Sequence, residues 1–397
     1  MALSTMFITM GQGIVVPILP LLVKSFGMSA AMVGVAVSVF AVARVFANIP
    51  AGVLTRFRGA RDVLVLGALF SAFGNLMVAL TSGFGPLIVF RFIAGLGSAL
   101  FITAAIAFVA AISTPANRGR LMTIYHASFL LGITLGPSTG GIVADLFGLH
   151  APFFLVAGVS LLAAVWVTAK VPSTVARVSE PAADPPGLPV VQRGRETPAN
   201  TGSVFRSPGF IAMGLIAMAV FFTRGGALFN LWPLLGKERF LLGPGTLGLL
   251  FTVPSATNLI CQPFVGALAD RLGRKTLILP TVVLFMASLL LSAVSPNVWV
   301  FAFAMALYGV GQAVEAPTGN SYVADLAPRR QLAVALGAYR TFGDVGLVVG
   351  SPLLGFIADM VGISWGLVVN AMAFLVPGIL FAWLAKETAG RAVTHKE

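Results

Sequence analysis

The stretch GALADRLGRK, residues 266–275, decides the fold, because the first half of the chain can be laid over the second half through it. A shift of 214 residues places Gly52 on Gly266 and Gly59 on Gly273. The same shift joins Gly95 to Gly309, Tyr125 to Tyr339, Gly136 to Gly350 and Asp145 to Asp359. One constant offset over separate segments indicates two copies of a unit of roughly 200 residues.

The composition is typical of a membrane protein. Of the 397 residues, 58% are hydrophobic and 10% are charged, whereas about a quarter of an ordinary soluble domain is charged. Apolar windows recur along the whole chain at about the 20 residues that an α-helix needs to cross a bilayer. Their continuity excludes the alternating segments of a β-barrel. The predicted fold class is therefore an all-α membrane protein.

We predict twelve transmembrane helices in two pseudo-symmetric six-helix bundles. The predicted spans are 3–23, 29–53, 62–81, 86–111, 120–145, 150–170, 209–235, 244–268, 276–294, 297–324, 332–358 and 363–385. The N-terminal bundle comprises residues 1–171, the C-terminal bundle comprises residues 209–386, and residues 387–397 form a tail. Residues 172–208 contain PAADPPGLPV and too few apolar side chains to fold alone, which predicts a linker.

The basic residues predict the orientation. The net charge is +12, and lysine and arginine concentrate in every second loop, on the side of the two termini. The opposite loops hold only Lys24, Lys237 and Arg239. By the positive-inside rule, both termini and the linker are cytoplasmic in a multi-pass protein of the plasma membrane. This placement also argues against nucleic acid as a partner.

No enzyme or metal site is predicted. Cys261 is the only cysteine and falls inside a predicted span, so a disulfide framework and a thiolate metal site are not expected. The sequence contains no HExxH motif, nucleophile elbow or phosphate loop. We expect no cofactor and no catalytic residue, and the expected partners of the predicted monomer are a small-molecule substrate, protons and the lipid bilayer.

Three motifs resemble those of the major facilitator superfamily. GALADRLGRK is similar to its loop signature, and GVLTRFRGAR at 52–61 occupies the same place in the first half. GITLGPSTGG at 132–141 is similar to the Gly-Pro motif of its antiporters, and RFIAGLGSA at 91–99 resembles its Arg-Gly motif. The resemblance covers nearly the whole chain apart from the linker and the tail. It implies a secondary transporter whose halves rock about a midplane site, in the twelve-span drug–proton antiporter branch.

The repeated loop predicts a latch that holds one access state. Asp270 lies among basic residues, so its carboxylate can cap a helix or pair with an arginine across the bundles. A basic tether that only obeys the positive-inside rule is the alternative. In the first half Arg56 takes the acidic position, so an ordinary latch is not expected there. The predicted latch residues are Gly52, Arg56, Arg61, Gly266, Asp270, Arg271, Gly273, Arg274 and Lys275.

The fifth span carries a glycine motif that predicts close helix packing. Gly132, Gly136 and Gly140 recur every four residues on one face, Pro137 removes a backbone hydrogen bond, and Gly141 ends the motif. Ordinary transmembrane packing accounts for this spacing. The resemblance implies, in addition, that this stretch seals the outer side against leakage.

Ionisable residues inside spans are costly and are therefore candidates for function. Glu315 has no cation within one turn of its own helix, and burial without a partner favours the protonated acid. It is the first candidate proton carrier and Asp344 is the second. A permanent pair of Glu315 with Arg224 or Arg91 is the alternative for the first carboxylate. Arg340 lies four residues before Asp344, so the two side chains can simply neutralise each other.

Two further side chains complete the predicted proton-coupling set. Arg91 matches the buried arginine of the superfamily, which implies a role near proton transfer. His126 can titrate near neutral pH, although a lone histidine is more often only hydrogen-bonded.

Polar and aromatic side chains at mid-depth predict a substrate cavity. The candidates are Gln12, Arg44, Tyr125, Arg224, Asn230, Trp232, Asn258, Asn320, Tyr339 and Arg340. Two transport hypotheses stay open. One is proton-coupled efflux of drug-like or amphipathic small molecules. The other is proton-coupled transport or uniport of an anionic metabolite, which the four intramembrane arginines favour over the two acids.

Overall fold

A computed structural model of the protein describes residues 1–114, 117–171, 204–328 and 331–388. Within these ranges the description does not extend to eight side chains, which are those of Arg118, Gly119, Gly266, Ala267, Ala269, Asp270, Arg271 and Ala333. The described residues form twelve long helices and no strand, which confirms the predicted all-α fold class. Most of the predicted linker, residues 172–203, and the end of the tail, residues 389–397, lie outside the described residues.

Six helices precede the linker and six follow it. The first six are α1 (Ala2–Ser25), α2 (Ala30–Arg58), α3 (Ala60–Leu80), α4 (Phe84–Ile112), α5 (Arg118–Phe147) and α6 (Ala151–Lys170). The last six are α7 (Pro208–Phe240), α8 (Pro244–Leu272), α9 (Arg274–Val294), α10 (Val298–Leu326), α11 (Leu332–Val361) and α12 (Ile363–Leu384). Among the described residues, eleven helices are apolar and long enough to cross a membrane, and α8 reaches 29 residues.

Each predicted span corresponds to one of these helices. The largest differences are at helix ends, where α2 continues to Arg58 and α7 to Phe240. Helices extend past the apolar window because their backbone hydrogen bonds are still satisfied in the polar interface. The start of α7 has a local cause, since the Ser207 hydroxyl accepts a hydrogen bond from the amide of Phe210 and Pro208 occupies the first turn.

Two helices depart from regular α geometry. In α7 the segment Arg224–Leu231 is a π-helix, beginning at the Arg224-Gly225-Gly226 sequence. In α12 two α segments, Ile363–Met372 and Leu375–Leu384, are separated by a turn. A π segment inside a transmembrane helix widens one turn and is frequently found at functional sites.

Single glycines make the tightest connections, and they occur in pairs 214 residues apart. Gly59 between α2 and α3 has φ 90°, and Gly273 between α8 and α9 has φ 95°. At the other membrane end, Gly148 has φ 88° and Gly362 has φ 94°. Side chains other than glycine rarely adopt these angles. The repeat seen in the sequence is therefore a repeat of backbone geometry.

The two halves meet along two seams. One seam joins α2 to α11 and the other joins α5 to α8, whereas α1 packs mainly on α5 and α7 mainly on α11 within their own halves. We call the membrane end that carries the chain termini the terminus end, and the opposite membrane end the distal end. Trp299 at the distal end and Trp383 at the terminus end are 83% and 86% exposed, as expected for aromatic side chains at the two lipid interfaces.

Candidate functional site

A cavity of about 260 Å³ lies between the two halves. Phenylalanines supply much of its apolar wall, among them Phe40, Phe129, Phe221, Phe229 and Phe251. Its polar lining comprises Gln12, Arg44, Ser71, Asn75, Arg91, Ser98, Arg224, Ser255, Gln312, Arg340 and Asp344. An apolar cavity with a few convergent polar groups is the usual form of a small-molecule site.

Arg91 is the most deeply buried cation of the cavity lining. Its side chain is 6% exposed, and its guanidinium carbon lies 4.5 Å from the centre of the Phe40 ring. The Nε atom of Arg91 is buried and has no hydrogen-bond partner within the described part of the chain. The face of the Phe40 ring thus provides Arg91 with the kind of favourable contact that a carboxylate would provide in an ion pair.

Arg224 lies at the first position of the π segment. Its guanidinium carbon is 5.9 Å from the ring centre of Phe221 and 5.6 Å from that of Phe229. The preceding turn is regular α-helix, so Arg224 marks the place where the helix widens. The cation is thereby directed into the cavity between two aromatic rings.

Arg340 and Asp344 both line the cavity, but they do not form a direct ion pair. No nitrogen–oxygen distance between them is within 4.0 Å, although both residues belong to the described region. Arg44 faces them from α2 and lies within electrostatic range of Asp344, Arg340 and Arg224. Arg44, Arg340 and Asp344 therefore form a looser group of charges from both halves, in which Arg340 acts on Asp344 without a direct ion pair.

Glu315 lies behind the cavity wall, inside the C-terminal half. It is 3% exposed, and its Oε1 atom accepts a hydrogen bond of 3.0 Å from the Tyr339 hydroxyl. Among the described residues no arginine or lysine nitrogen lies within 4.0 Å of its carboxyl oxygens, so the alternative pairing with Arg224 or Arg91 does not occur. Gln312, one helical turn earlier, does line the cavity.

Of the ten predicted cavity residues, Gln12, Arg44, Arg224 and Arg340 line the cavity. The other six do not, and helix orientation is the reason. Tyr125 is 5% exposed within the core of the N-terminal half, and Tyr339 is 6% exposed and bonded to Glu315. Asn320 is exposed and donates a hydrogen bond of 2.7 Å to the Ala316 carbonyl of its own helix.

The remaining three of these six residues also lie outside the cavity lining. The Asn230 side chain is fully buried and donates hydrogen bonds of 3.0 Å to the carbonyls of Ala30 and Ser351, at the α2–α11 seam. Trp232 is fully buried beside Phe301 and Tyr308. The third residue, Asn258, is partly buried, and its Oδ1 atom has no partner within the described part of the chain.

His126 lies within α5, and its side chain is exposed. Its ring stacks on Phe129 at 6.4 Å and lies 6.2 Å from the ring of Tyr125. His126 does not belong to the cavity lining, whereas Phe129, three residues later on α5, does.

The glycine motif of α5 divides between two partners. Cβ atoms added to Gly132, Gly136 or Gly140 would overlap the backbone of α1, within the same half. A Cβ atom at Gly141 would instead overlap the backbone of α8, across the seam. Of the four glycines, Gly141 therefore contacts the other half, and Pro137 does so as well, because its carbonyl lies against Gly248 of α8.

The α2–α11 seam is closed at the distal end and open at the terminus end. A Cβ atom added to Gly34 would overlap the Ser351 backbone, whereas one at Gly52 meets no atom of a described residue within 4 Å. These two glycines are 18 residues apart, which is five helical turns, so they lie on one face of α2. On α11, Gly355 and Gly337 repeat this contrast at the same spacing. The cavity is therefore open towards the terminus end.

Two aspartates close the distal end by capping helices of the opposite half. The carboxylate of Asp359 on α11 accepts hydrogen bonds of 2.8 Å from the amides of Ala30 and Ala31, at the start of α2. The carboxylate of Asp145 on α5 accepts one of 2.8 Å from the amide of Gly245, at the start of α8. Free amides and the helix dipole both favour a carboxylate at a helix N-terminus. We call these contacts the distal caps.

Three of the predicted latch residues contact their own halves. Arg61 donates a hydrogen bond of 2.6 Å to the Thr168 carbonyl, and Lys275 donates one of 2.7 Å to the Ala382 carbonyl. Arg274 pairs with Asp325 at 3.4 Å. The side chains of Gly266, Asp270 and Arg271 lie outside the described set, and Gly52 is one of the open seam positions. The exposed Arg56 stays a latch prediction.

Several site residues escaped the sequence reasoning. Ser98 accepts a hydrogen bond of 3.0 Å from Gln12 at the cavity wall, and Gln312 donates one of 3.0 Å to the Tyr308 hydroxyl. The aspartates of the distal caps were visible only as matched positions of the repeat. A search for charged residues kept under the 214-residue shift is the signal that finds them.

Comparisons with known proteins agree with this architecture. The sequence matches the Major Facilitator Superfamily over residues 1–240 and 220–397. It is 24% identical over 377 residues to an uncharacterized MFS-type transporter of Methanocaldococcus jannaschii, which covers 95% of each chain. It is also 24% identical over 405 residues to Multidrug resistance protein 2 of Bacillus subtilis, covering 98% of this chain and 96% of that protein.

The fold is also similar to solved structures. The nucleoside transporter NupG has a TM-score of 0.79 at 14% identity and covers 97% of this chain and 98% of its own. The peptide transporter POT has a TM-score of 0.78 at 16% identity and covers 96% and 92%. At these identities the likeness concerns the fold.

Proposed function

The chain belongs to the Major Facilitator Superfamily, and on that premise we propose that it exports amphipathic small molecules in exchange for protons by alternating access. The coarser statement needs no proposal: the protein is a multi-pass membrane transporter and not an enzyme. Two relatives of Bacillus subtilis are named Multidrug resistance proteins, at 24% and 25% identity, and their names support the export direction.

The observation that carries the proposal is the environment of Glu315. A carboxyl group that is 3% exposed, with one hydroxyl donor and no cation within 4.0 Å among the described residues, is expensive to keep in a membrane protein. Reversible protonation gives such a group a purpose. We therefore infer that Glu315 carries the exchanged proton and that Asp344, in the cavity, is the second candidate.

Coupling acts through conformation, because Glu315 does not line the cavity. Tyr339 links Glu315 to α11, and α11 forms the seam with α2. A change in the charge of Glu315 thus acts on α11. This helix contacts the N-terminal half at the distal end and is separated from it at the terminus end. Substrate and proton then favour different access states and need not compete for one atom.

The proposal includes an orientation. Basic loops on the terminus side support cytoplasmic termini and residence in the plasma membrane. The described state is then open to the cytoplasm and closed by the distal caps on the outside. In the opposite state, we expect the loop around Asp270 and Arg271 to latch the cytoplasmic side, and the protein to work as a monomer.

The experiment is proton release from purified protein in weakly buffered detergent, followed with a pH dye. The probes are naphthoate, naphthamide and naphthylmethylammonium, which share one ring system and differ in charge. The wild type is expected to release protons when a probe binds. Glu315→Gln is expected to bind the same probe and release none.

The control is Glu238→Gln, which removes an exposed carboxylate that pairs with Lys24 at 3.9 Å at the distal end. This variant is expected to release protons like the wild type. Binding without proton release by the wild type, or release that survives in both Glu315→Gln and Asp344→Asn, contradicts the antiport proposal. Proton uptake on binding would assign the protein to co-transport instead.

A further inference from the structure

We propose that the cavity selects organic anions, with an acidic head group and an apolar ring body. This inference rests on the proposed function only in taking the cavity as the substrate site. It names the substrate class of that site.

The charges of the cavity carry the inference. Four arginines and a single carboxylate, Asp344, belong to its lining. Among the described residues no lysine, histidine or glutamate belongs to the lining, so the excess of positive charge is not balanced within it. A ligand cation would have to enter a site whose net fixed charge is positive. An anion would meet several guanidinium groups, which bind carboxylate, sulfonate and phosphate oxygens through paired N–H donors.

The guanidinium groups also have unused donors. The Nε atoms of Arg44 and Arg91 are buried and without a hydrogen-bond partner in the described part of the chain. Arg91 is 6% exposed and still lines the cavity, so water does not reach this donor freely. A buried donor without a partner costs free energy, which an acceptor on the ligand recovers.

Aromatic rings surround these charges and set the apolar requirement. Phe40 stacks on Arg91, and Phe221 and Phe229 flank Arg224. Phe129 and Phe251 add further apolar wall. A small inorganic anion would satisfy the guanidinium groups and leave these rings in water, whereas an aromatic or aliphatic body covers them.

The arginines of the cavity come from both halves. An anion bound between them can therefore help the two halves to approach each other and close the cavity. Arg44 lies on α2 of the N-terminal half and is within electrostatic range of Arg224 and Arg340 of the C-terminal half. The single carboxylate Asp344 offsets only part of the repulsion among the three cations, so approach of the two halves at the terminus end is resisted while the cavity is empty. An anion between them removes this repulsion and favours the closed state.

The test is equilibrium binding of the three naphthalene probes to the full-length protein in detergent. Naphthoate is expected to bind about tenfold or more tightly than naphthamide, since hydrogen bonds to charged groups are each worth about a factor of ten. Naphthylmethylammonium is expected to bind more weakly than both. Arg44→Gln and Arg224→Gln are each expected to weaken naphthoate binding about tenfold and to leave naphthamide binding unchanged.

Two controls separate charge from folding. Arg58→Gln removes an exposed arginine at the terminus end of α2 and is expected to bind naphthoate like the wild type. Arg44→Lys keeps the charge and is expected to recover part of the lost affinity. Equal or tighter binding of the ammonium probe overturns the inference. Naphthoate binding that is insensitive to Arg44 and Arg224, or absent at millimolar concentration, overturns it as well.

The outcome is independent of the proton measurement. If naphthoate binding depends on the arginines but no proton is released, the antiport proposal fails and the anion site stands. If protons are released with naphthylmethylammonium as the preferred probe, the antiport proposal stands and the anion site fails.

Discussion

The two halves of the protein are alike where they touch and different where they carry charge. At the distal end, Asp145 and Asp359 cap helices of the opposite half at equivalent places. Inside the C-terminal half, Glu315 and Asp344 occupy positions that are Phe101 and Leu130 in the N-terminal half. The shared positions build the two seams, and the differing positions build the chemistry of the site.

The two halves differ in the sign of the charges that they hold inside the membrane. Among the described lining residues, the charged side chains of the N-terminal half are both cations, Arg44 and Arg91, whose counterparts are Asn258 and Met305. The C-terminal half contributes two arginines and Asp344 to the lining and holds Glu315 behind the cavity wall. A duplicated unit therefore retains one mechanical design and divides the ionisable groups unequally. Each of the following experiments compares matched positions of the two halves.

The largest expected effect comes from the glycines of the seams. We expect Gly34→Leu and its counterpart Gly248→Leu each to disfavour the described state by about a hundredfold or more, since the added side chain meets backbone atoms that cannot move aside. Transport stops, because one access state is lost. Spin labels at Val53 and Val334, both exposed at the terminus end, report the state through their distance in a Cys261→Ser background.

Gly52→Leu is the control, because a Cβ atom at Gly52 meets nothing within 4 Å in this state. It is expected to keep the long label distance. Wild-type distances in Gly34→Leu and Gly248→Leu would show that the seams do not close as described.

The helix connections should respond equally in the two halves. We expect Gly148→Ala and Gly362→Ala each to lower the free energy of unfolding by about 2 kcal/mol, because backbone with these positive φ angles is almost restricted to glycine. Denaturation in mild detergent measures the change. Gly158→Ala, inside α6 at a position where a Cβ atom meets no described residue within 4 Å, is expected to raise the free energy of unfolding slightly, because alanine favours a helix over glycine. Unequal losses of unfolding free energy in Gly148→Ala and Gly362→Ala would show that the two matched connections do not contribute equally to stability.

The paired tyrosines should respond unequally. Tyr339 donates to Glu315, whereas its counterpart Tyr125 packs in the core of the N-terminal half. Tyr339→Phe leaves the buried carboxylate without its donor, which we expect to slow proton-driven transport about tenfold. Tyr125→Phe is expected to transport at nearly the wild-type rate. Transport into proteoliposomes under an imposed pH gradient measures both, and equal losses would contradict the assignment of proton exchange to the C-terminal half.

The distal caps give the smallest effect. Asp359 accepts two amide hydrogen bonds and Asp145 accepts one among the described contacts. We expect Asp359→Ala to disfavour the described state about fivefold, as for the loss of a helix cap, and Asp145→Ala to have a smaller effect in the same direction. The spin-label distances at Val53 and Val334 measure both populations. A larger shift in Asp145→Ala would mean that the α5–α8 seam, and not the α2–α11 seam, holds the distal end closed.

The fold was predictable because the sequence patterns that determine it extend over many residues. Apolar windows determine the spans, and glycines at a constant offset determine the repeat. The site was less predictable, since a transmembrane helix is apolar on every face and its sequence does not state which side chain faces the cavity. Asn230 and Trp232 illustrate this: Asn230 lies inside the π segment and Trp232 directly after it, and both side chains form packing contacts instead of lining the cavity.

Contacts between halves were the least predictable. Asp145 and Asp359 stood out in the repeat, but their partners belong to the other half and depend on the access state. Glu315 was recognisable from the absence of a cation on its own helix. Its bond to Tyr339 was not, because the two residues lie on α10 and α11 and no pattern in either helix points to the other.

The seam contacts of α2 and α11 lie near the distal end of each helix, so a rotation of either helix about these contacts moves its terminus end the farthest. Gly34 and Gly52 are separated by 18 residues, or about 27 Å of helix axis. A rotation of about 10° around Gly34 therefore displaces Gly52 by about 5 Å, while contacts beside Gly34 move by only a fraction of that distance. In the proposed alternating access, a small movement at the distal caps thus accompanies a movement of several ångströms at the terminus end, enough to admit or exclude an aromatic ring.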